Sequence, residues 1–214
     1  MKLFNIPVGS LGTNCYILAS EAGNCVIIDP GAQAGKLLGF IGDNKLTPKK
    51  ILLTHGHHDH IGALKEVLET DDNLKAIIGK EDIELITASD KSLSVLHMPD
   101  AGDFIKSRTE VVSDNASITL DELTIKVIAT PGHTKGCVCY IVGDIIFSGD
   151  TLFYEEVGRC DLYGGSYPTI KRSLLKLCAL PGDYVVYPGH GESTTLNHER
   201  KYNRYIAEAL EEQA

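Results

Sequence analysis

Short runs rich in β-branched and aromatic residues recur along the chain, at residues 3–8, 14–18, 24–29, 50–54, 74–79, 123–129, 137–142, 144–148 and 183–187. Most are bounded by Gly, Pro, Asn or Asp, the residues that punctuate strands. Between some of them the apolar spacing changes to the three or four of a helix. Residues 33–43 carry Leu37, Leu38 and Ile41, and residues 59–70 carry Ile61, Leu64, Val67 and Leu68, with Asp59 near the start. Residues 168–179 open on Pro168, which a first helical turn tolerates. Residues 195–213 read as a closing helix. Residues 86–116 are the least patterned, a loop with a short helix and a candidate flap over a site. Strands and helices occur in both halves, with no repeat, low-complexity tract or long linker. The pattern predicts a mixed α/β fold with two sheets, in one domain spanning residues 1–214.

Composition narrows the setting. The chain has 214 residues, 43% of them hydrophobic, yet apolar runs such as residues 137–142 are too short to cross a membrane. The start, Met1-Lys2-Leu3-Phe4-Asn5-Ile6, has one basic residue and no apolar signal region, so a cytoplasmic setting is expected. The formal net charge is −9, and basic residues pair up only at Lys49-Lys50, Lys171-Arg172 and Arg200-Lys201. That argues against a phosphate backbone as partner. The six cysteines (Cys15, Cys25, Cys137, Cys139, Cys160 and Cys178) form no CxxC pair, and several lie in apolar runs. They read as reduced, buried small hydrophobes.

The chemistry concentrates in Leu52-Leu53-Thr54-His55-Gly56-His57-His58-Asp59-His60-Ile61-Gly62. This stretch follows a predicted strand and precedes a predicted helix. Gly56 permits the turn. His55 and His57, two apart, point to one side of an extended segment. Asp59 and His60, at the helix start, aim at a second nearby point. Three further ligand-type residues stand beside glycine at predicted strand ends: His133 in Thr130-Pro131-Gly132-His133-Thr134, Asp150 in Ser148-Gly149-Asp150-Thr151, and His190 in Pro188-Gly189-His190-Gly191. The set supplies His55, His57 and His133 for one metal and Asp59, His60 and His190 for another. Asp150 has two oxygens with which to bridge them. Nitrogen and oxygen donors suit zinc, with iron or manganese as alternatives. His58 is expected to face solvent, His97 to be an ordinary loop residue and His198 a helix-surface residue.

The motif His55-x-His57-x-Asp59-His60, followed by His133, Asp150 and His190, resembles that of the metallo-β-lactamase superfamily. The likeness extends from Thr13-Asn14-Cys15-Tyr16 and Ile28-Asp29-Pro30-Gly31 to the last helix. It implies an αββα sandwich of two mixed sheets flanked by helices, with two divalent metals at one edge. Within the superfamily, Ser148–Phe153, Gly158-Arg159-Cys160-Asp161-Leu162 and Thr194-Thr195-Leu196-x-x-Glu199-Arg200 resemble the short glyoxalase II (hydroxyacylglutathione hydrolase) subtype. The resemblance implies hydrolysis of a thioester such as S-D-lactoylglutathione through a hydroxide bridging the two metals, with Asp59 also orienting it. The main subclass of zinc β-lactamases carries cysteine where Asp150 stands, which argues against antibiotic hydrolysis. The acidic tail 208–214 stands where longer glyoxalase II enzymes begin a basic glutathione-holding region.

Other residues carry weaker expectations. Asp29 either bonds a ligand histidine or serves its Asp-Pro-Gly turn. Arg159 and Asp161 are expected to pair with neighbouring loops, and Tyr154, Tyr163, Tyr167 and Lys135 are pocket candidates. The rival functions are a persulfide dioxygenase using one iron, a lactonase or small-ester hydrolase, and a non-enzymatic metal-binding protein. The expected partner is a small molecule, with neither nucleic acid nor membrane, acting on a monomer or dimer.

Overall fold

The computed structural model describes residues 1–87, 91 and 99–212. The first sheet has β1 (Lys2–Val8), β2 (Thr13–Ala19), β3 (Asn24–Ile28), β4 (Thr47–Leu52), β5 (Lys75–Gly79) and β6 (Thr109–Val112) in that order across it. The second runs β14 (Thr194–Thr195), β13 (Val185–Pro188), β10 (Ile145–Gly149), β9 (Val138–Val142), β8 (Leu123–Ala129) and β7 (Ser117–Leu120). Each sheet has six strands and mixes parallel with antiparallel pairs, and a separate ribbon joins β11 (Leu152–Phe153) to β12 (Glu156–Val157).

Strand alternation sorts the side chains into layers. In β2, Tyr16 and Leu18 join Val26, Leu52, Ile125, Val127, Tyr140 and Phe147 between the sheets. Cys15, Ile17 and Ala19 point the other way, towards Leu37 and Ile41 of α1 (Ala34–Asp43) and Leu64, Val67 and Leu68 of α3 (Leu64–Leu68). On the far side, Ile128, Cys139, Ile141 and Ile146 meet Ile170, Leu174 and Leu177 of α5 (Tyr167–Cys178). Leu196 of α6 (Leu196–Tyr202) and Ile206 of α7 (Arg204–Glu211) complete that layer. The result is the αββα sandwich. The central strands are buried on both faces, which is why they read as near-continuous apolar runs. All six cysteines are free; Cys15, Cys25, Cys137 and Cys139 are buried, and Cys160 and Cys178 partly so. Among the described residues no helix is long and apolar enough to cross a membrane.

The structure revises several predicted elements. Residues 59–70 form two short helices, α2 (His58–Ile61) and α3, because the chain turns at Gly62-Ala63, where the Ala63 amide donates to the Pro30 carbonyl. The closing helix breaks at Asn203, whose backbone is extended and whose side chain caps α7 by accepting from the Tyr205 amide. Within 86–116 lie a helix, α4 (Pro99–Ser107), and the edge strand β6. The flap expectation falls partly on residues 88–90 and 92–98, outside the described residues, as does His97. The unpredicted strands β6, β7, β11, β12 and β14 span four residues or fewer, too short for a periodic signal.

Phe147 anchors the inter-sheet layer, its ring 5.2 Å from Tyr16 and 5.9 Å from Tyr187. Phe147→Ala is expected to cost about 3–5 kcal/mol of stability in denaturant unfolding. A loss below about 0.5 kcal/mol, the range of surface substitutions, would contradict this packing.

Candidate metal centre

Strand direction gathers the polar side chains. β3 and β4 are parallel, so Asp29 and the segment holding His55 leave the first sheet at one edge. In the second sheet β8 and β10 flank β9 antiparallel to both, and β13 is parallel to β10. The turns carrying His133, Asp150 and His190 therefore leave together. Ligand sites commonly form at such carboxyl ends of strands. β2 runs opposite to β3, so its first residues, Thr13 and Asn14, arrive at the same edge.

All seven predicted residues converge there. His55, His57 and His133 form one group of donors and Asp59, His60 and His190 a second. His55, His60 and Asp150 form a third that shares a residue with each; within every group the donor atoms lie within 4.8 Å of one another. His57 Nδ1 is 2.8 Å from His133 Nε2, which is 3.3 Å from His55 Nε2. His190 Nε2 is 3.3 Å from His60 Nε2 and 3.1 Å from Asp59 Oδ2. Asp150 turns Oδ1 towards His60 Nε2 at 3.4 Å and Oδ2 towards His133 Nε2 at 3.5 Å. Asp150 Oδ1 and His57 Nε2 are buried without hydrogen-bond partners. An unpaired buried carboxylate oxygen is costly, and a cation beside it removes that cost. The cluster is thus compatible with a dinuclear metal site.

The outward ring nitrogens of His55, His60, His133 and His190 are tied down. His133 Nδ1 donates to the Arg159 carbonyl at 2.7 Å, and His190 Nδ1 lies 3.3 Å from the Leu11 carbonyl. His60 Nδ1 is 2.9 Å from Asp29 Oδ2. Thr54 donates its hydroxyl to the same oxygen at 2.6 Å and its amide to Oδ1 at 2.8 Å, and its Oγ1 stands 3.1 Å from His55 Nδ1. Such contacts select the tautomer and point the other nitrogen inward. Asp29 therefore serves both its turn, with φ at 51°, and His60.

Charge divides the cluster. Burial, then the neighbouring His133 and His60, pull His57 down to about 3, and burial likewise lowers His55 and His133. These three rings are neutral lone-pair donors. Burial also opposes charge on His60, yet Asp150 and Asp29 outweigh it and raise that ring to about 9, so a metal ion held by Nε2 would have to displace its proton. Burial alone would raise Asp59; His190 and His60 beside it hold its carboxyl well below the usual range.

Close approach accounts for two glycines. Gly56 does not take a positive φ, so its predicted role as a turn-former is corrected: a Cβ there would sit 2.5 Å from Leu85 Cβ. At Gly189 a Cβ would collide with Asp150 Oδ1 and His60 Cε1.

Several supporting residues escaped the sequence reading. Asp82, just past β5, accepts from the Gly56 amide at 3.1 Å, the Gly136 amide at 2.7 Å and the Thr134 hydroxyl at 2.6 Å, bracing two loops of the cluster. Its burial pushes its carboxyl up to about 6 against those three bonds. Nothing in its local sequence signals this. Arg159 and Asp161 pair with each other at 2.7 and 2.8 Å on the surface, not with neighbouring loops; Arg159 contributes through its backbone. Tyr167 spends its hydroxyl on Glu208, and Tyr163 donates to Glu84, with Lys135 Nζ 4.8 Å from its ring. Tyr154 stacks on His198, whose Nε2 meets Glu155. His58 is partly exposed and stands outside all three donor groups.

Fold and cluster together define a metal-binding protein of the αββα hydrolase class. The family model of the metallo-β-lactamase superfamily matches residues 8–190, and the chain belongs to that superfamily of metal-dependent hydrolases. It is 35% identical to the probable metallo-hydrolase YqgX of Bacillus subtilis, over 96% of this chain and 98% of that one. It is 31% identical to the hydroxyacylglutathione hydrolase GloC of Haemophilus influenzae, again over 96% and 98%. Two solved structures are similar throughout. The BLEG-1 B3 metallo-β-lactamase has a TM-score of 0.85 and 31% identity, over 96% of this chain and 99% of that one. TTHA1623 in a di-iron-bound form has a TM-score of 0.81 and 33% identity, over 95% and 100%.

Gly189→Ala is expected to weaken metal binding by about 10–100-fold, the range for substitutions beside a metal site. The far-UV spectrum should stay unchanged. Metal titration of the purified variant checks this, and wild-type affinity would show that Asp150 and His60 are not packed against Gly189.

Proposed function

We propose that this chain is a dinuclear metal-dependent hydrolase that cleaves a thioester, with S-D-lactoylglutathione as the substrate to test first. One observation carries the dinuclear reading: Asp150 presents one oxygen towards His60 of one group and the other towards His133 of the other. In this reading His55, His57 and His133 hold one ion, Asp59, His60 and His190 the second, and Asp150 both. Bound there, divalent ions supply Lewis acidity and make hydroxide available near neutral pH. Zinc is the first metal to test; the likeness to a di-iron protein keeps iron in view, and the donor set also admits manganese.

The chain's own residues perform the rest. Thr13 fixes Asp59 through Oδ2 at 2.9 Å, the oxygen that also faces His60 and His190, and in this reading Asp59 also orients the attacking water. His55, His57 and His133, held neutral by burial, keep lone pairs directed inward. A departing thiolate has a pKa near that of cysteine, about 8.5, and leaves without a dedicated acid. The full-length similarity to GloC supports the thioester. The net charge of −9 supports a small-molecule substrate over nucleic acid. A cytoplasmic setting belongs to the same reading.

Elemental analysis and S-D-lactoylglutathione hydrolysis on one purified sample test the proposal. About two metal ions per chain with turnover are expected. Asp150→Ala should lose metal and more than about a hundredfold in kcat/KM together. Full activity in metal-depleted Asp150→Ala protein would end the reading. The likeness to BLEG-1 makes a β-lactam the comparison substrate; efficient β-lactam hydrolysis without thioester turnover would replace the thioester with an amide.

A further inference from the structure

The opening residues of β2 contact the cluster on one side only. Thr13, 1% exposed, donates its hydroxyl to Asp59 Oδ2 at 2.9 Å. Asn14, 3% exposed, grips the loop that carries His190. Its amide donates to the Gly189 carbonyl at 2.8 Å, and its Nδ2 donates to the Pro188 carbonyl at 3.1 Å and the Gly191 carbonyl at 2.9 Å. Asn5 Nδ2 donates to Asn14 Oδ1 at 3.0 Å, so the Asn14 amide has one orientation that satisfies both ends. Two residues on, the Tyr16 hydroxyl donates to the Pro188 carbonyl at 2.7 Å. These bonds tie one sheet to the other across more than 170 residues of sequence.

Their location has a physical reason. His55, His57, His60 and His133 are almost wholly buried, and packing holds them. The side chains of His190 and Asp59 are 27% and 16% exposed. Packing leaves these two the most freedom of the seven, and the β2 contacts end on the Asp59 carboxylate and on the backbone either side of His190. Holding donor atoms in place before a metal arrives removes an ordering cost from binding.

We infer that Thr13, Asn14 and Tyr16 are positioning residues that set the metal affinity of the Asp59–His60–His190 group without setting that of His55–His57–His133. The inference rests on the dinuclear reading above. It makes the affinities of the two ions separately adjustable, one by packing and the other by the β2 clamp.

The test is calorimetric titration of metal-free full-length protein with Zn²⁺, alongside its thermal unfolding. Wild type, Thr13→Val, Thr13→Ser, Asn14→Asp and His190→Ala are compared. Thr13→Val removes the hydroxyl at nearly constant volume, and Thr13→Ser retains it. In wild type two binding events are expected. In Thr13→Val and Asn14→Asp, the event that His190→Ala removes should weaken by about 10–100-fold. The other event should stay within about twofold, and Thr13→Ser should match wild type. An unchanged Tm of metal-free Thr13→Val accompanies a positioning role. Equal weakening of both events, or wild-type affinities in both Thr13→Val and Asn14→Asp, overturns this inference alone. A single event in wild type overturns it together with the dinuclear reading.

Discussion

Seven imidazole and carboxylate side chains converge at the edge of an apolar sandwich, in overlapping groups whose donor atoms lie within 4.8 Å of one another, and the surrounding structure has to keep them there. Left to themselves these groups would turn outward to water, since burying polar atoms without partners costs free energy. Two layers of strands prevent that. They run in directions that bring Asp29, His55, His133, Asp150 and His190 to the same edge, and their backbones are locked by hydrogen bonds inside both sheets. The inter-sheet core of Tyr16, Leu52, Tyr140 and Phe147 keeps those edges together. Packing of this kind holds His55, His57, His60 and His133, which are buried, because close-packed interiors do not deform gradually.

A second tier of polar contacts then sets orientation. Asp29 and Asp82 are both buried, and each accepts several hydrogen bonds from the loops around the histidines. Asp29 reaches His60 directly and His55 through Thr54, so one carboxylate serves both donor groups. Asp82 hydrogen-bonds none of the seven residues and acts on the Gly56 and Gly136 amides and the Thr134 hydroxyl beside them. Two buried acids with different tasks show why the chemistry of this edge extends well beyond its candidate ligands. The family fold supplies a rigid platform with converging loops, and the particular reaction is decided by what lines them.

Much of this was legible in the chain. The nine predicted strand runs all correspond to observed strands, and the spacing of His55, His57, Asp59 and His60 announced a metal cluster. The sequence did not show which element would support which ligand. Gly56 looked like a turn residue, and only the approach of Leu85 explains it. Arg159 looked like a side-chain brace, and its backbone carbonyl is what meets His133. The single helix read over residues 195–213 is two, because Asn203 spends its side chain on a cap and on Glu199.

The division follows from the range of the forces involved. Periodicity and the local clustering of ligand-type residues are properties of neighbours in the chain, so the sequence by itself determined nine of the strands, the mixed α/β class and the candidate donors, and the resemblance those motifs carry implied the αββα sandwich. The pairing of His133 with His57, of Asp150 with both groups and of Asn14 with the loop around His190 joins residues separated by tens to nearly two hundred positions. Those contacts exist only once strand order and direction are settled. They depend on where two sheets come to rest against each other, which no local pattern encodes.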